Sequence, residues 1–84
     1  MYVYFFTFRS VTHAQQAAST LNTAGIPVNI LRTPKAIAVH GCGYSVQVRT
    51  GFYRQAADEL TRHGVQFQRI FCRLPDGSFE EVSA

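Results

Sequence analysis

The chain repeats itself. Ala17 to Val28, AASTLNTAGIPV, matches Ala56 to Phe67, AADELTRHGVQF, with both alanine pairs, Leu21/Leu60, Gly25/Gly64, Ile26/Val65 and Val28/Phe67 in step at a period of 39 residues. Each copy reads as the end of an amphipathic helix, a glycine where a helix C-terminus favours one, and the start of an apolar strand. That is the back half of a strand-helix-strand unit, and two such units account for most of a chain of 84 residues.

The remaining segments complete the units. Tyr2 to Phe8, YVYFFTF, is aromatic and β-branched enough for a first strand, after which Ser10 or Thr12 can cap a helix. Ala14, Ala17, Ala18, Leu21 and Ala24 fall at helical spacing, and because most are small the helix can lie close to a sheet. IPVNILR (26–32) is a second strand and YSVQVR (44–49) a third. Tyr53, Ala56, Ala57 and Leu60 form the buried stripe of a second helix, and VQFQRIFCRL (65–74) is a fourth strand. Pro75-Asp76-Gly77 is a turn signal, so SFEEV (78–82) can fold back as a short extra strand. The expected class is α+β, a ferredoxin-like βαββαβ (split βαβ) sandwich. It pairs a four-stranded antiparallel sheet with two helices on one face, as one domain over 1–84 with a core at 2–74 and a C-terminal hairpin or tail at 75–84.

With 46% hydrophobic residues the chain can bury one modest core, and a second domain is not expected. Two cysteines make no disulfide framework, and MYVYFFTFRS is too short to span a membrane and lacks the basic start of a signal peptide. The expectation is a cytoplasmic protein with reduced thiols and no membrane contact. All five acidic residues lie beyond position 57, which leaves Arg9, Arg32, Lys35, Arg49 and Arg54 unopposed in sequence, and that half should attract anions.

The stretch HGCGYSVQVR places Cys42 between Gly41 and Gly43 at the entry to the third strand. With strands in the order 4-1-3-2, Cys42 shares one end of the sheet with Arg9, Arg32 and the first turn of the first helix. Arg49 and Cys72 fall at the other end. Cys72 would then stand about 20 Å from Cys42 at ~3.3 Å per strand residue, whereas a disulfide needs Cα atoms within about 7 Å. Cationic neighbours and a helix N-terminus favour a thiolate, the form that acts as nucleophile. Arg9, Arg32, Lys35 and His40 could supply the charge, and Gly41 and Gly43 would leave room for an attacking partner. The alternative is that Cys42 is a small buried apolar residue, the commonest fate of a free cysteine.

Several other readings are weaker. His13, in the first turn of the first helix, and His63, in the last turn of the second, read as solvated or capping side chains. The histidines and cysteines show no metal-ligand spacing, GCG does not open a helix as a phosphate loop would, and no cofactor motif is present. Cys72 reads as packed in or beside the core.

The stretch from FTFRSVTH through AGIPV and Pro34-Lys35 to Cys42-Gly43 resembles the small selenium/sulfur carrier-like proteins, a family once known only as a domain of unknown function. The resemblance implies that Cys42 carries sulfur or selenium as a persulfide or selenopersulfide. It also implies donor and acceptor proteins, such as a cysteine desulfurase, as partners. One departure is visible: the family approaches its cysteine through serines, whereas AIAVHG (36–41) offers only His40 in their place. A carrier needs no fixed triad, and no acidic residue precedes position 58 to orient His40 as a hydrolase would require, so turnover by the isolated chain is not expected.

Two rival classes fit the same length and order. One is an RNA-recognition module, for which Tyr2, Tyr4, Phe6 and Phe8 could stack bases, although the third strand lacks that module's aromatic pattern. The other is a non-catalytic oligomeric interaction or ligand-sensing module. The first strand is apolar on both faces and two helices cover one, so a homodimer or higher oligomer through the face bearing Tyr2, Tyr4, Phe6 and Phe8 is the expectation.

Overall fold

The computed structural model describes residues 2–38 and 43–82. The strands are β1 (Val3–Phe8), β2 (Val28–Arg32), β3 (Tyr44–Arg49), β4 (Ile70–Arg73) and β5 (Phe79–Val82). The helices are α1 (Val11–Thr23) and α2 (Tyr53–Arg62), the latter entered through a 3₁₀ turn at Thr50–Phe52. The sheet is antiparallel in the order β2-β3-β1-β4-β5. The α+β class and the arrangement of the first four strands agree with the sequence reading. The sheet has five strands rather than four, because the tail pairs fully with β4.

The repeat is structural as well as sequential. α1 starts where Ser10 Oγ accepts the His13 backbone N–H at 3.3 Å, and it ends at Gly25, φ +82°, where the Ile26 amide donates to the Leu21 carbonyl at 2.9 Å. α2 ends the same way: Gly64 has φ +69°, and the Val65 amide donates to the Leu60 carbonyl at 2.9 Å. Only glycine adopts that backbone without strain, which is why both copies share it. Ile26 and Val65, the residues after each glycine, are thereby turned into the core.

Ala14, Ala17 and Leu21 of α1 and Ala56 and Leu60 of α2 pack on Phe6 and Phe8 of β1, Val46 and Val48 of β3 and Ile70 of β4. Three of these five helix residues are alanines, so the rings of Phe6 and Phe8 fill much of the layer between helices and sheet. Tyr4 stacks on Tyr53 with centroids 4.1 Å apart and planes 15° from parallel, and Phe6 meets the edge of Phe67 at 5.1 Å. This overturns the expected docking face: Phe6 is 0% and Phe8 1% exposed, both beneath the helices, so neither dimer contact nor base stacking can use them.

The opposite face is covered in part by the chain itself. Ile37, in the connection after β2, is buried against Phe5 and Phe71. Phe79 meets the Phe5 ring edge-on at 5.5 Å, and the Arg73 guanidinium lies 5.6 Å from its centroid. The fourth strand is also shorter than its apolar run suggests. Gln68 N–H donates to the Thr7 carbonyl, Thr7 N–H donates to the Arg69 carbonyl, and the Arg69 amide donates to Thr7 Oγ1 at 3.0 Å. Two residues therefore oppose one, a bulge that interrupts the ladder before Ile70.

The β4–β5 turn is held by Asp76, whose carboxylate accepts the Ser78 N–H at 2.9 Å and its hydroxyl at 2.6 Å. Those two bonds hold the Asp76 carboxyl below its ordinary range.

Candidate functional site

β3 begins beside a narrow gap. Gly43 lies between the Phe8 carbonyl and Thr33, and a β-carbon there would stand 3.1 Å from that carbonyl and 3.7 Å from Thr33 Oγ1. The Gly43 carbonyl accepts the Thr33 amide at 3.1 Å, and two residues further on the Thr33 and Ser45 hydroxyls share a 2.8 Å hydrogen bond, with Ser45 fully buried. Close passage between two strands thus calls for glycine at 43.

Pairing also fixes the cations. Phe8 and Arg32 are both register partners of Tyr44, so the ends of β1 and β2 flank the start of β3, with Arg9 directly after Phe8. Phe8 and Arg32 are therefore about 10 Å apart, two strand spacings. Both arginine side chains are exposed. Lys35 is exposed too, but it stands in the turn in which the Ile37 amide donates to the Pro34 carbonyl at 3.0 Å, a turn that folds over the open face toward Phe5. His40, Gly41 and Cys42 lie outside the described residues.

Next to Arg9, a cleft of about 270 Å³ is lined by Phe8, Arg9, His13, Gln66, Phe67 and Gln68. His13 stands in the first turn of α1, and its Nδ1 shares a 2.6 Å hydrogen bond with Ser10 Oγ. His63 follows the last turn of α2, with Nε2 3.3 Å from Glu59 Oε2. Each histidine is thus occupied at a helix terminus. Among the described residues no group of three or more His, Cys, Asp or Glu side chains could hold a metal, and no helix is long and apolar enough to cross a membrane.

Cys72 is buried, paired in register with Tyr4 on the helix-covered face. Tyr4 and Phe8 are four residues apart on β1, which separates Cys72 from Tyr44 by about 16 Å, two strand spacings included. The Tyr4 phenol is held above its ordinary value of 10.0, first by desolvation and then by the Cys72 thiol, with Tyr53 and Tyr2 adding to the effect. Cys72 thus serves the packing at one end of the sheet, while Gly43, Arg9 and Arg32 gather at the other.

A model of the family described as "Putative Se/S carrier protein-like" matches residues 3–72. The chain belongs to that family. The matched span runs from the first residue of β1 to Cys72, and so includes both repeat units and the Cys42-Gly43 pair but not β5. No curated protein matches the chain. Within this Se/S carrier-like chain, sequence reasoning missed Ile37 and the Thr33–Ser45 pair. The signal for Ile37 was present in AIAV, an apolar run in a connection where water-facing residues would be expected.

Proposed function

We propose that this protein carries sulfur or selenium between partner proteins as a persulfide or selenopersulfide on Cys42. The observation that carries the reading is the division of the two cysteines: Cys72 is buried beside Tyr4, whereas Cys42 directly precedes Gly43 in the chain, where Arg9 and Arg32 flank the entry to β3. Membership of the Se/S carrier-like family supports it.

The exchange is balanced without an oxidant. The Cys42 thiolate attacks the outer sulfur of a donor persulfide, the donor's S–S bond breaks, and the donor leaves as thiolate, so one sulfur passes to Cys42 with no net redox change. Delivery is the same step in reverse toward an acceptor thiol. Arg9 and Arg32 would favour the thiolate electrostatically, Lys35 and His40 are further candidate cations, and Gly41 with Gly43 would shape the loop. Asp and Glu are absent before position 58, which leaves no carboxylate early in the chain to hold a general base, in keeping with a carrier.

Incubation with a cysteine desulfurase and cysteine, followed by intact-mass measurement, tests this. One sulfur should be added to the wild type and removed by reductant, and Cys42→Ser should stay unmodified. Arg32→Ala should slow loading without unfolding the domain, since the side chain is exposed. An unmodified wild type, or an equal adduct on Cys42→Ser, would reject the carrier in favour of a non-catalytic interaction module.

A further inference from the structure

The two edges of the sheet are built differently. β5 forms one edge with the adjacent carboxylates Glu80 and Glu81, both exposed, whereas β2 forms the other with the sequence Val28-Asn29-Ile30-Leu31-Arg32 and Ile30 is 39% exposed. An edge strand offers a row of unpaired N–H and C=O groups, and charges along it are the usual guard against pairing with another chain. β5 has that guard. β2 has one charge, at its end, and an isoleucine at its centre.

The hydrogen-bond phase defines what β2 presents. Thr33 donates to Gly43 and is its register partner, so Leu31 and Asn29, two and four residues earlier, also bond to β3. The N–H and C=O groups of Val28, Ile30 and Arg32 therefore point outward. We propose that two copies of this chain pair antiparallel through β2, about a two-fold axis beside Ile30. That axis aligns the whole strand: Ile30 meets its own copy, and Val28 meets Arg32 of the other protomer. About six backbone hydrogen bonds form between outward-facing groups.

Charge selects this pairing over the others. With the axis at Ile30 the two Arg32 side chains stand at opposite ends of the shared ladder. A two-fold on β5 centred at Glu80 sets a carboxylate directly against its copy, which is destabilising, and one centred at Glu81 crowds two carboxylates that each already face Arg69 Nη1 of their own protomer at 3.3 Å. A β2-to-β5 contact joins unlike surfaces and does not close on itself. The β2 pair extends the sheet with all helices on one face, and it leaves Tyr4, Phe6 and Phe8 in the core of each copy.

The wild-type protein can be tested directly by amide hydrogen exchange at low concentration and at about 100 µM, high enough to populate a small interface. The Val28, Ile30 and Arg32 amides should gain protection with concentration while Asn29 and Leu31 are protected throughout. Sedimentation should give a dimer at the higher concentration. Ile30→Lys and Ile30→Glu should each weaken association by about tenfold or more, and an equimolar mixture of the two should restore a dimer because opposite charges then meet at the axis. A monomeric wild type, exchange at 28, 30 and 32 that ignores concentration, or a mixture that stays monomeric overturns the proposal. None of these readouts involves Cys42, so the carrier reading stands or falls separately.

Discussion

The carbonyl oxygen of Phe8 lies 3.1 Å from the point that a β-carbon on Gly43 would occupy. Phe8 belongs to the central strand and is 1% exposed, so its backbone cannot retreat without disturbing the core. The entry to β3, one residue after Cys42, is thereby held against β1 on one side and Thr33 on the other.

Gly43→Ala should destabilise the protein by about 1 kcal/mol, steric overpacking outweighing the entropy that alanine removes from the unfolded chain. Urea unfolding measures it. Faster exchange of the Thr33 amide, whose acceptor is the Gly43 carbonyl, should accompany the loss. An alanine variant as stable as wild type would show that the strands give way easily.

Ile37→Ala should cost about 2 kcal/mol, the low end for a buried aliphatic truncation, because the turn that carries Ile37 can partly collapse onto Phe5 and Phe71. Ile37→Leu should retain most of the stability. Chemical denaturation of the pair gives the difference; equal midpoints would mean that Ile37 contributes no packing energy.

Under brief alkylation at neutral pH, Cys72 should react far more slowly than Cys42, since Cys72 is 6% exposed beneath the helices. Peptide mass spectrometry locates the label. Cys72 labelled first in folded protein would contradict its burial, and it would remove the reason for assigning the carrier role to Cys42.

The raised Tyr4 value sets a pH dependence with a definite sign. A group whose folded value lies above its unfolded one contributes stability that is intact below the unfolded value, 10.0 here, and is lost as pH climbs through the folded value. Thermal unfolding from about pH 9 to 11 should therefore fall more steeply for wild type than for Tyr4→Phe. Absorbance titration should find a late-ionising phenol in wild type that is missing from Tyr4→Phe.

Local rules made much of this protein legible from its sequence. Gly25 and Gly64 mark helix ends because only glycine takes a positive φ cheaply, and Ser10 or Thr12 reads as a cap because a hydroxyl can accept a first-turn amide, the structure choosing Ser10. Helix and strand periods then give the element order, and the order gives the end of the sheet where Arg9, Arg32 and Gly43 collect. The faces of β1 were a different matter. Val3 and Phe5 alternate with Tyr4, Phe6 and Phe8, both sets apolar, and a period of two cannot choose between two apolar sets. Packing made the choice, because helices lined with Ala14, Ala17 and Ala56 leave a deep layer that the larger rings fill. Burial of Ile37 on Phe5, the bulge opposite Thr7 and the close passage at Gly43 likewise depend on residues that are distant in sequence. Such contacts exist only once the sheet has formed, and no local preference encodes them.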